Sequence, residues 1–503
     1  MRVVIRVDAS LKMGTGHVMR CLTLAEVLKE NGADVEFICR KHEGNLINKI
    51  RSNGFNVFEF DLLAANKVDN KLFHSHWLGT TQLQDAIDCI SVLQSAKADW
   101  LIVDHYGIDE DWQQDLKAYY DKLMVIDDLA DRKHKCDILL DQTFGRQQQA
   151  YGELVPKSCE LLLGSQFSLL RPEFAKWRQY SLERRKYPVF KQLLISMGGI
   201  DPDNFTEQVL KEVGTCVLPG DLEITIVMGG MSCHLESVKN SANSLSCKAE
   251  VRVDIDNMAE IMANTDIAIG AAGTTTWERC CLGLPTIQIV IADNQIDIAR
   301  NLDSINAIQL INNPHQLSRN IDSMLQSIDK MSLVSSSLVD GKGSAKVAKF
   351  INSRENYVDS FFMRPAELID TNFVYSMQTK EIRKYFIDPE IPSLDKHIKW
   401  FQNIINSLTS QLFILMLGAL KIGVLRVDNI EGGELEISII ISPNYSGKGL
   451  AKQALQEIES LTPGRTLKAI IHNDNILSKG LFLQFGYRVS KQNGNFSEYR
   501  KNG

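Results

Sequence analysis

At 503 residues the chain is too long for one ordinary core, and the usual domain size of about 100–200 residues predicts roughly three domains. Hydrophobic residues at 44% and charged residues at 23% exclude a disordered or membrane-embedded chain. The net charge of −7 comes with no basic block to neutralise a phosphate backbone, so no nucleic-acid partner is expected.

Val3-Val4-Ile5-Arg6-Val7 predicts a first strand and not a charged-then-apolar export signal, which points to a cytoplasmic protein. Gly14-Thr15-Gly16-His17 follows as a glycine-rich turn. Val18, Cys21, Leu22, Ala25 and Leu28 then recur at helical spacing up to a cap at Gly32. Glycines at a helix entrance let backbone N–H groups approach an anion, so Gly14 and Gly16 are candidate phosphate contacts. His17 becomes a candidate base, with a plain polar residue at a helix start as the competing reading.

Val35–Ile38, Trp100–Val103, Leu123–Ile126 and Ile138–Leu140 alternate with helical segments, the rhythm of a parallel sheet covered on both faces. Functional side chains of such sheets gather beyond the carboxyl ends of the strands. Asp104-His105-Tyr106 and Asp127-Asp128 stand there, although each Asp serves equally well as a helix cap or turn residue. A similar unit begins near Leu161 and is clearest from Gln192–Ser196, which leads into Met197-Gly198-Gly199. Strands at Leu222–Met228, Val251–Val253, Asp266–Ile269 and Thr286–Ile291 complete it. Two nucleotide-fold halves thus stand in tandem, with a cleft between them as the natural substrate site.

Gly270-Ala271-Ala272-Gly273-Thr274-Thr275-Thr276-Trp277-Glu278 is again a strand, a glycine turn and a helix start. Gly273 and Thr274 can cradle a diphosphate, and Glu278 can accept from ribose hydroxyls, unless it simply faces solvent. Asn294 and Gln295, after the next strand, offer amides to sugar hydroxyl or acetamido groups. The ten cysteines end at Cys281, irregularly spaced and without a Cys-x-x-Cys pair, which predicts reduced thiols and no metal site. Ser332 and Ser335-Ser336-Ser337 suggest a loop before a last helix at Ser344–Asn352, with a domain boundary around residues 354–360.

From about residue 361 the pattern changes. Leu412–Leu417, Ile422–Val427 and Leu435–Ile441 read as mostly antiparallel strands. The longest apolar run, Leu412–Leu420, has nine residues against the roughly 20 a membrane helix needs, so no membrane partner is expected. Asn444-Tyr445-Ser446-Gly447-Lys448-Gly449-Leu450 then precedes an amphipathic helix. Spaced glycines at that helix start form a nest for a pyrophosphate, with Lys448 adding charge.

Several motifs, "RVDASLKMGTGHVMRCLTLA", "LIVDHYGID", "VIDDLADR", "LLRPEF", "SMGGIDPDN" and "GAAGTTTWERCCLGLP", together give residues 1 to about 350 a resemblance. They resemble the UDP-2,4-diacetamido-2,4,6-trideoxy-beta-L-altropyranose hydrolases of pseudaminic acid biosynthesis, which have the GT-B fold. The resemblance implies cleavage of the sugar–UDP link, with His17 activating water and Tyr106 lining the same pocket. It places the nucleotide near Gly198, Gly199 and Glu278, and the sugar near Asn294 and Gln295. Residues 361 to 500 resemble the GCN5-related N-acetyltransferases (GNAT) through "ISIIISPNYSGKGLAKQAL" and "NDNILSKGLFLQFGY". This implies acetyl-CoA along Ile439 and Ile441, its pyrophosphate on the N–H groups of Ser446, Gly447, Lys448, Gly449 and Leu450, and a contact from Asn475. Asn444 stands where that family usually has Gln or Arg, and Phe482 where it often has the proton-donating Tyr.

The expected architecture is therefore α/β: a GT-B-like pair of Rossmann-type lobes, 1–158 and 159–353, followed by a GNAT α+β domain, 361–503. The expected partners are a UDP-linked diacetamido sugar and acetyl-CoA, and the expected activity is bifunctional: acetylation of the 4-amino group of a UDP-sugar, then removal of UDP. A GT-B glycosyltransferase and a non-catalytic UDP-sugar sensor with a decayed acetyltransferase domain are the competing readings.

Overall fold

The computed structural model describes residues 1–62, 71–199, 201–230, 232–292, 295–352, 361–407, 409–417, 420–429 and 433–502. The chain forms two compact units, Met1–Asn352 and Ser353–Gly503. The expected boundary at 354–360 lies outside the described residues.

The first lobe is a seven-stranded, all-parallel sheet. Its strands are β1 (Arg2–Val7), β2 (Asp34–Arg40), β3 (Asn56–Phe60), β4 (Ala98–Asp104), β5 (Tyr120–Ile126), β6 (Ile138–Asp141) and β7 (Glu160–Leu163), in the order β3-β2-β1-β4-β5-β6-β7. Helices cover both faces, so the central strands are apolar almost throughout. One exception is Arg6, fully buried in β1. Its guanidinium meets Asp85 at 2.7 Å and Asp8 at 2.8 Å, and Asp85 also accepts from Arg40 at 2.8 Å and from Trp112 Nε1 at 3.0 Å. Buried charge persists because each member is paired.

The second lobe is a six-stranded parallel sheet of β8 (Gln192–Ser196), β9 (Glu223–Met228), β10 (Lys248–Val253), β11 (Ile267–Ala271), β12 (Thr286–Ile289) and β13 (Gln309–Ile311), in the order β10-β9-β8-β11-β12-β13. Two expectations need correction. The strand near Leu161 is β7, which pairs with β6 at the edge of the first sheet, so the first lobe runs past residue 158. The chain crosses over before the helix Pro172–Arg184, whose Ser181 hydroxyl donates to Leu282 O at 2.7 Å in the second lobe. Nor are the serines after residue 332 a loop: Ile328–Ser336 is a helix. The Ser335, Ser336 and Ser337 hydroxyls donate to carbonyls three residues back, which lets these serines be buried.

The last helix of this unit, Gly343–Asn352, returns to pack on the helix Gly16–Glu30 of the first lobe. Gly343 makes the approach possible, because a Cβ there would stand 2.2 Å from Ser168 O.

The second unit is a mixed sheet of β14 (Phe361–Pro365), β15 (Ser410–Leu417), β16 (Leu420–Asn429), β17 (Leu435–Ile441), β18 (Leu467–His472), β19 (Arg488–Asn493) and β20 (Phe496–Lys501), in the order β14-β15-β16-β17-β18-β20-β19. All neighbours are antiparallel except β17 and β18. One face carries a core with Leu450, Leu455 and Ile458 of the helix Leu450–Leu461, and another cluster includes Phe401 and Ile404 of the helix Leu394–Ile405.

Gly343→Val is expected to cost about 1–3 kcal/mol by overpacking against Ser168 and to lower the first unit's thermal midpoint. Calorimetry of parent and variant checks this, and equal midpoints would show that the returning helix is not tightly closed.

Candidate functional site

The helix Gly16–Glu30 starts directly after the glycine turn, where Gly14 adopts φ +80° and its N–H donates to Ser10 O at 2.9 Å. Gly14 therefore shapes the turn, while Gly16 faces the second lobe: a Cβ on Gly16 would lie 3.5 Å from the Thr274 side chain. His17 sits on the first turn, and its Nδ1 is 2.6 Å from Asp104 Oδ1 at the carboxyl end of β4. Arg20, one turn on, grips the same carboxylate with Nε at 2.6 Å and a terminal nitrogen at 2.7 Å. Its other terminal nitrogen bonds Asp128, which also accepts from the Tyr106 hydroxyl at 3.1 Å.

Burial alone would push the Asp104 carboxyl up, but the Arg20 guanidinium and the His17 imidazole outweigh it and hold it well below the usual carboxylate range. An ionised carboxylate only accepts. The 2.6 Å contact therefore puts a proton on His17 Nδ1, so in the neutral imidazole it is Nε2 that carries the lone pair. The more distant Arg20 nitrogen, 3.4 Å from Nδ1, does not compete with that bond. Tyr106 is buried, edge-on to the imidazole at 4.7 Å, and burial followed by the Asp128 carboxylate pushes its hydroxyl up. It braces His17 instead of opening onto free space.

A cleft with about 1030 Å³ of free space runs between the lobes. Thr15, Gly16 and Arg20 form one side of it, and Gly198, Gly199, Thr274 and Glu278 line the other. Arg171, missed by sequence reasoning, also lines it and lies 3.9 Å from Glu278. Its signal was the cation immediately before Pro172 in "LLRPEF". Arg20 was missed too, although a three-residue spacing from His17 puts both on one helix face. Gln295 lies outside this lining; its Oε1 accepts from Ile291 N at 3.3 Å and its Nε2 is 3.9 Å from where a Cβ on Gly273 would sit. Asn294 falls outside the described residues. Among the described residues no group of three or more His, Cys, Asp or Glu side chains could hold a metal ion, and no helix is long and apolar enough to cross a membrane.

In the second unit, β17 and β18 pair only at Leu435–Leu467 and Glu436–Lys468 and then diverge. The splay leaves the edge of Ile439 and Ile441 unpaired with β18, able to take the amide groups of an extended ligand. Gly447 and Gly449 both adopt φ +77°, the left-handed geometry of a backbone nest, and the helix Leu450–Leu461 follows at once. Lys448 is exposed in this turn, its ammonium 5.3 Å from the Tyr445 ring. Asn475 caps the helix Ile476–Gln484, accepting from Ser478 N at 3.1 Å, which leaves its amide donors for another group. Phe482 is buried against Tyr487 and has no proton to give. Glu434 and Glu436, either of which could have been a base, are ion-paired with Arg500 at 3.0 Å and Lys468 at 3.1 Å.

Two parallel-sheet lobes about a shared cleft, followed by a mixed sheet with one splayed parallel pair, define a GT-B-like unit joined to a GNAT-like domain. Residues 193–349 match the glycosyltransferase family 28 C-terminal domain, and residues 361–488 match the acetyltransferase (GNAT) domain. The chain is 25% identical to an uncharacterized protein of Methanocaldococcus jannaschii, over 98% of each. Across 59% of its length it is 29% identical to the UDP-2,4-diacetamido-2,4,6-trideoxy-beta-L-altropyranose hydrolase of Campylobacter jejuni, covering 93% of that protein. The crystal structure of Acinetobacter baumannii MurG superposes with a TM-score of 0.51 at 16% identity, over 70% of this chain and 99% of that one, a likeness of fold. The chain is thus a fusion of a hydrolase-related GT-B-like unit and a GNAT domain.

Burial raises the Glu278 carboxyl from 4.5 to about 7, against the opposing pull of Arg171. The folded protein keeps this proton where the unfolded chain releases it, so Glu278 costs nothing below about pH 4.5 and progressively destabilises the fold as pH rises to 7. Glu278→Gln is therefore expected to stabilise the first unit by up to about 3 kcal/mol at pH 8 and by nothing near pH 4. Denaturant titrations at both pH values measure this, and equal stability at pH 8 would refute it.

Proposed function

We propose that the chain is a bifunctional enzyme that acetylates the 4-amino group of a UDP-linked trideoxy sugar and then hydrolyses UDP-2,4-diacetamido-2,4,6-trideoxy-beta-L-altropyranose to the free sugar and UDP. The observation that carries the hydrolytic half is the 2.6 Å His17–Asp104 contact beside a cleft whose far wall belongs to the segment that matches the glycosyltransferase family 28 C-terminal domain. The similarity to the Campylobacter jejuni hydrolase supports the substrate.

In this reading His17 Nε2 takes a proton from water as its oxygen attacks the anomeric carbon. The bond from that carbon to the UDP oxygen breaks, and the electron pair leaves with UDP. Asp104 stabilises the imidazolium that forms. Arg171 and the backbone of Gly198, Gly199 and Thr274 face the charge growing on the leaving diphosphate, while Glu278 takes ribose hydroxyls. Gln295, with Asn294, attends the sugar.

For acetyl transfer, the unpaired edge of Ile439 and Ile441 orients acetyl-CoA, and the turn Ser446–Leu450 holds its pyrophosphate through backbone N–H groups. The neutral sugar amine attacks the thioester, the C–S bond breaks, the nitrogen gives up its extra proton to solvent, and the thiolate takes a proton from solvent or from Ser478, whose hydroxyl solvent reprotonates.

The test gives purified protein the UDP-linked 4-amino sugar, with and without acetyl-CoA, and follows free thiol and free UDP in one tube. Thiol is expected first and UDP only when acetyl-CoA is present; UDP released only when an acceptor sugar is added would establish a glycosyltransferase instead. His17→Ala is expected to keep UDP affinity and lose about 10²–10⁴-fold in hydrolysis, and equal turnover would remove His17 from the mechanism. Gly447→Val, strained at φ +77°, is expected to abolish acetyl-CoA binding by calorimetry while sparing hydrolysis of the diacetylated substrate. Unchanged affinity would move the pyrophosphate elsewhere.

A further inference from the structure

The first lobe carries a group of aromatic rings beside His17 that the mechanism above leaves without a task. They lie on the segment 71–80, which is anchored at both ends. Lys71 Nζ is 2.7 Å from Asp109, Leu78 and Thr80 are buried, and Thr81 caps the following helix by accepting from Gln84 N. Trp77 stacks on Tyr106 at 5.7 Å and 25°, and its ring centre is 6.2 Å from that of His17. His74 packs on Trp77 at 4.5 Å, and Phe73, 83% exposed, stands edge-on to His74 at 4.8 Å. The row is held from behind: a Cβ on Gly107 would come within 3.0 Å of His74 O.

Trp77 and His74 remain half-buried in this setting, and burial lowers the His74 pKa, so its ring is neutral at physiological pH. Rigid aromatic surface left partly open beside a candidate base calls for an apolar occupant. The polar groups around His17, Asp104 and Arg20, stand at its other nitrogen and along the cleft. If His17 Nε2 is to activate water at an anomeric carbon, that carbon lies within a few ångströms of the imidazole. The Trp77 ring, centred 6.2 Å from the imidazole, is then within reach of the substituents of the same sugar.

We propose that Trp77 and His74 form the wall against which the sugar ring lies, and that this wall favours a hexose presenting C–H and methyl groups over one presenting a hydroxymethyl. Trp77 is a substrate-contacting residue whose task is to select sugars with a methyl in place of the hydroxymethyl group. The proposal rests on the hydrolase reading, because it takes the anomeric carbon to stand at His17.

Steady-state hydrolysis of two UDP-diacetamido-hexoses, identical except for methyl or hydroxymethyl at C6, tests it in the full-length protein. The parent is expected to prefer the methyl sugar by roughly 10–100-fold in kcat/KM. Trp77→Ala should raise KM for that sugar about tenfold and shrink the preference, while inhibition by free UDP stays unchanged. Trp77→Phe, which keeps a ring over Tyr106, should fall between them and serves if the alanine variant does not fold. An unchanged KM and preference in these variants would overturn the wall, and so would a parallel loss of UDP inhibition, which would mark a general collapse of the cleft. Absence of UDP release from both sugars by the parent would instead overturn the hydrolase reading itself.

Discussion

Asp104 is the carboxylate on which the catalytic reading depends. It is buried at the end of a central strand, where ionisation is costly, yet Arg20 and His17 hold it ionised. The Arg20 grip occupies both carboxylate oxygens and links them to Asp128, which in turn fixes the Tyr106 hydroxyl. Two strand ends and one helix start are therefore tied by a single guanidinium. The consequence for chemistry is tautomeric: Nδ1 must donate, so Nε2 is the basic nitrogen. Removing Arg20 would leave the buried Asp104 carboxylate without its guanidinium, at a cost of about 3–5 kcal/mol, which makes the network structural and chemical at once.

The α/β architecture was legible because strands buried on both faces must be continuously apolar, and Val3–Val7, Trp100–Val103 and Gln192–Ser196 are nearly so. The short edge strands were not. Asn56–Phe60 buries only Val57 among exposed and half-buried neighbours, and Gln309–Ile311 has three residues, too few for any periodicity. Glu160–Leu163 was seen but given to the wrong lobe, since nothing local tells a strand which edge it will join. The serine cluster misled because serine disfavours helix interiors unless its hydroxyl bonds back to the helix, as it does here.

Site residues marked by glycine turns at strand ends, Gly16, Gly198, Gly199 and Thr274, come to one cleft together with Glu278. The residues that remained hidden are long cations and aromatics. Arg20, Arg171 and Trp77 act through reach and packing, and no short motif encodes either. The second unit follows a different logic. Its candidate site is made of backbone, from two left-handed glycines and a pair of strands that part after Glu436, so side-chain substitutions such as Phe482 alter its proton traffic more than its ligand geometry.

A water activated by His17 is proposed to attack carbon and not phosphorus. Hydrolysis of the diacetylated UDP-sugar in heavy-oxygen water measures it directly, with the position of the label read by mass spectrometry. Heavy oxygen is expected in the anomeric hydroxyl of the released sugar and none in UDP. Label in the terminal phosphate of UDP would contradict it, and would turn the cleft into a site of phosphoryl cleavage.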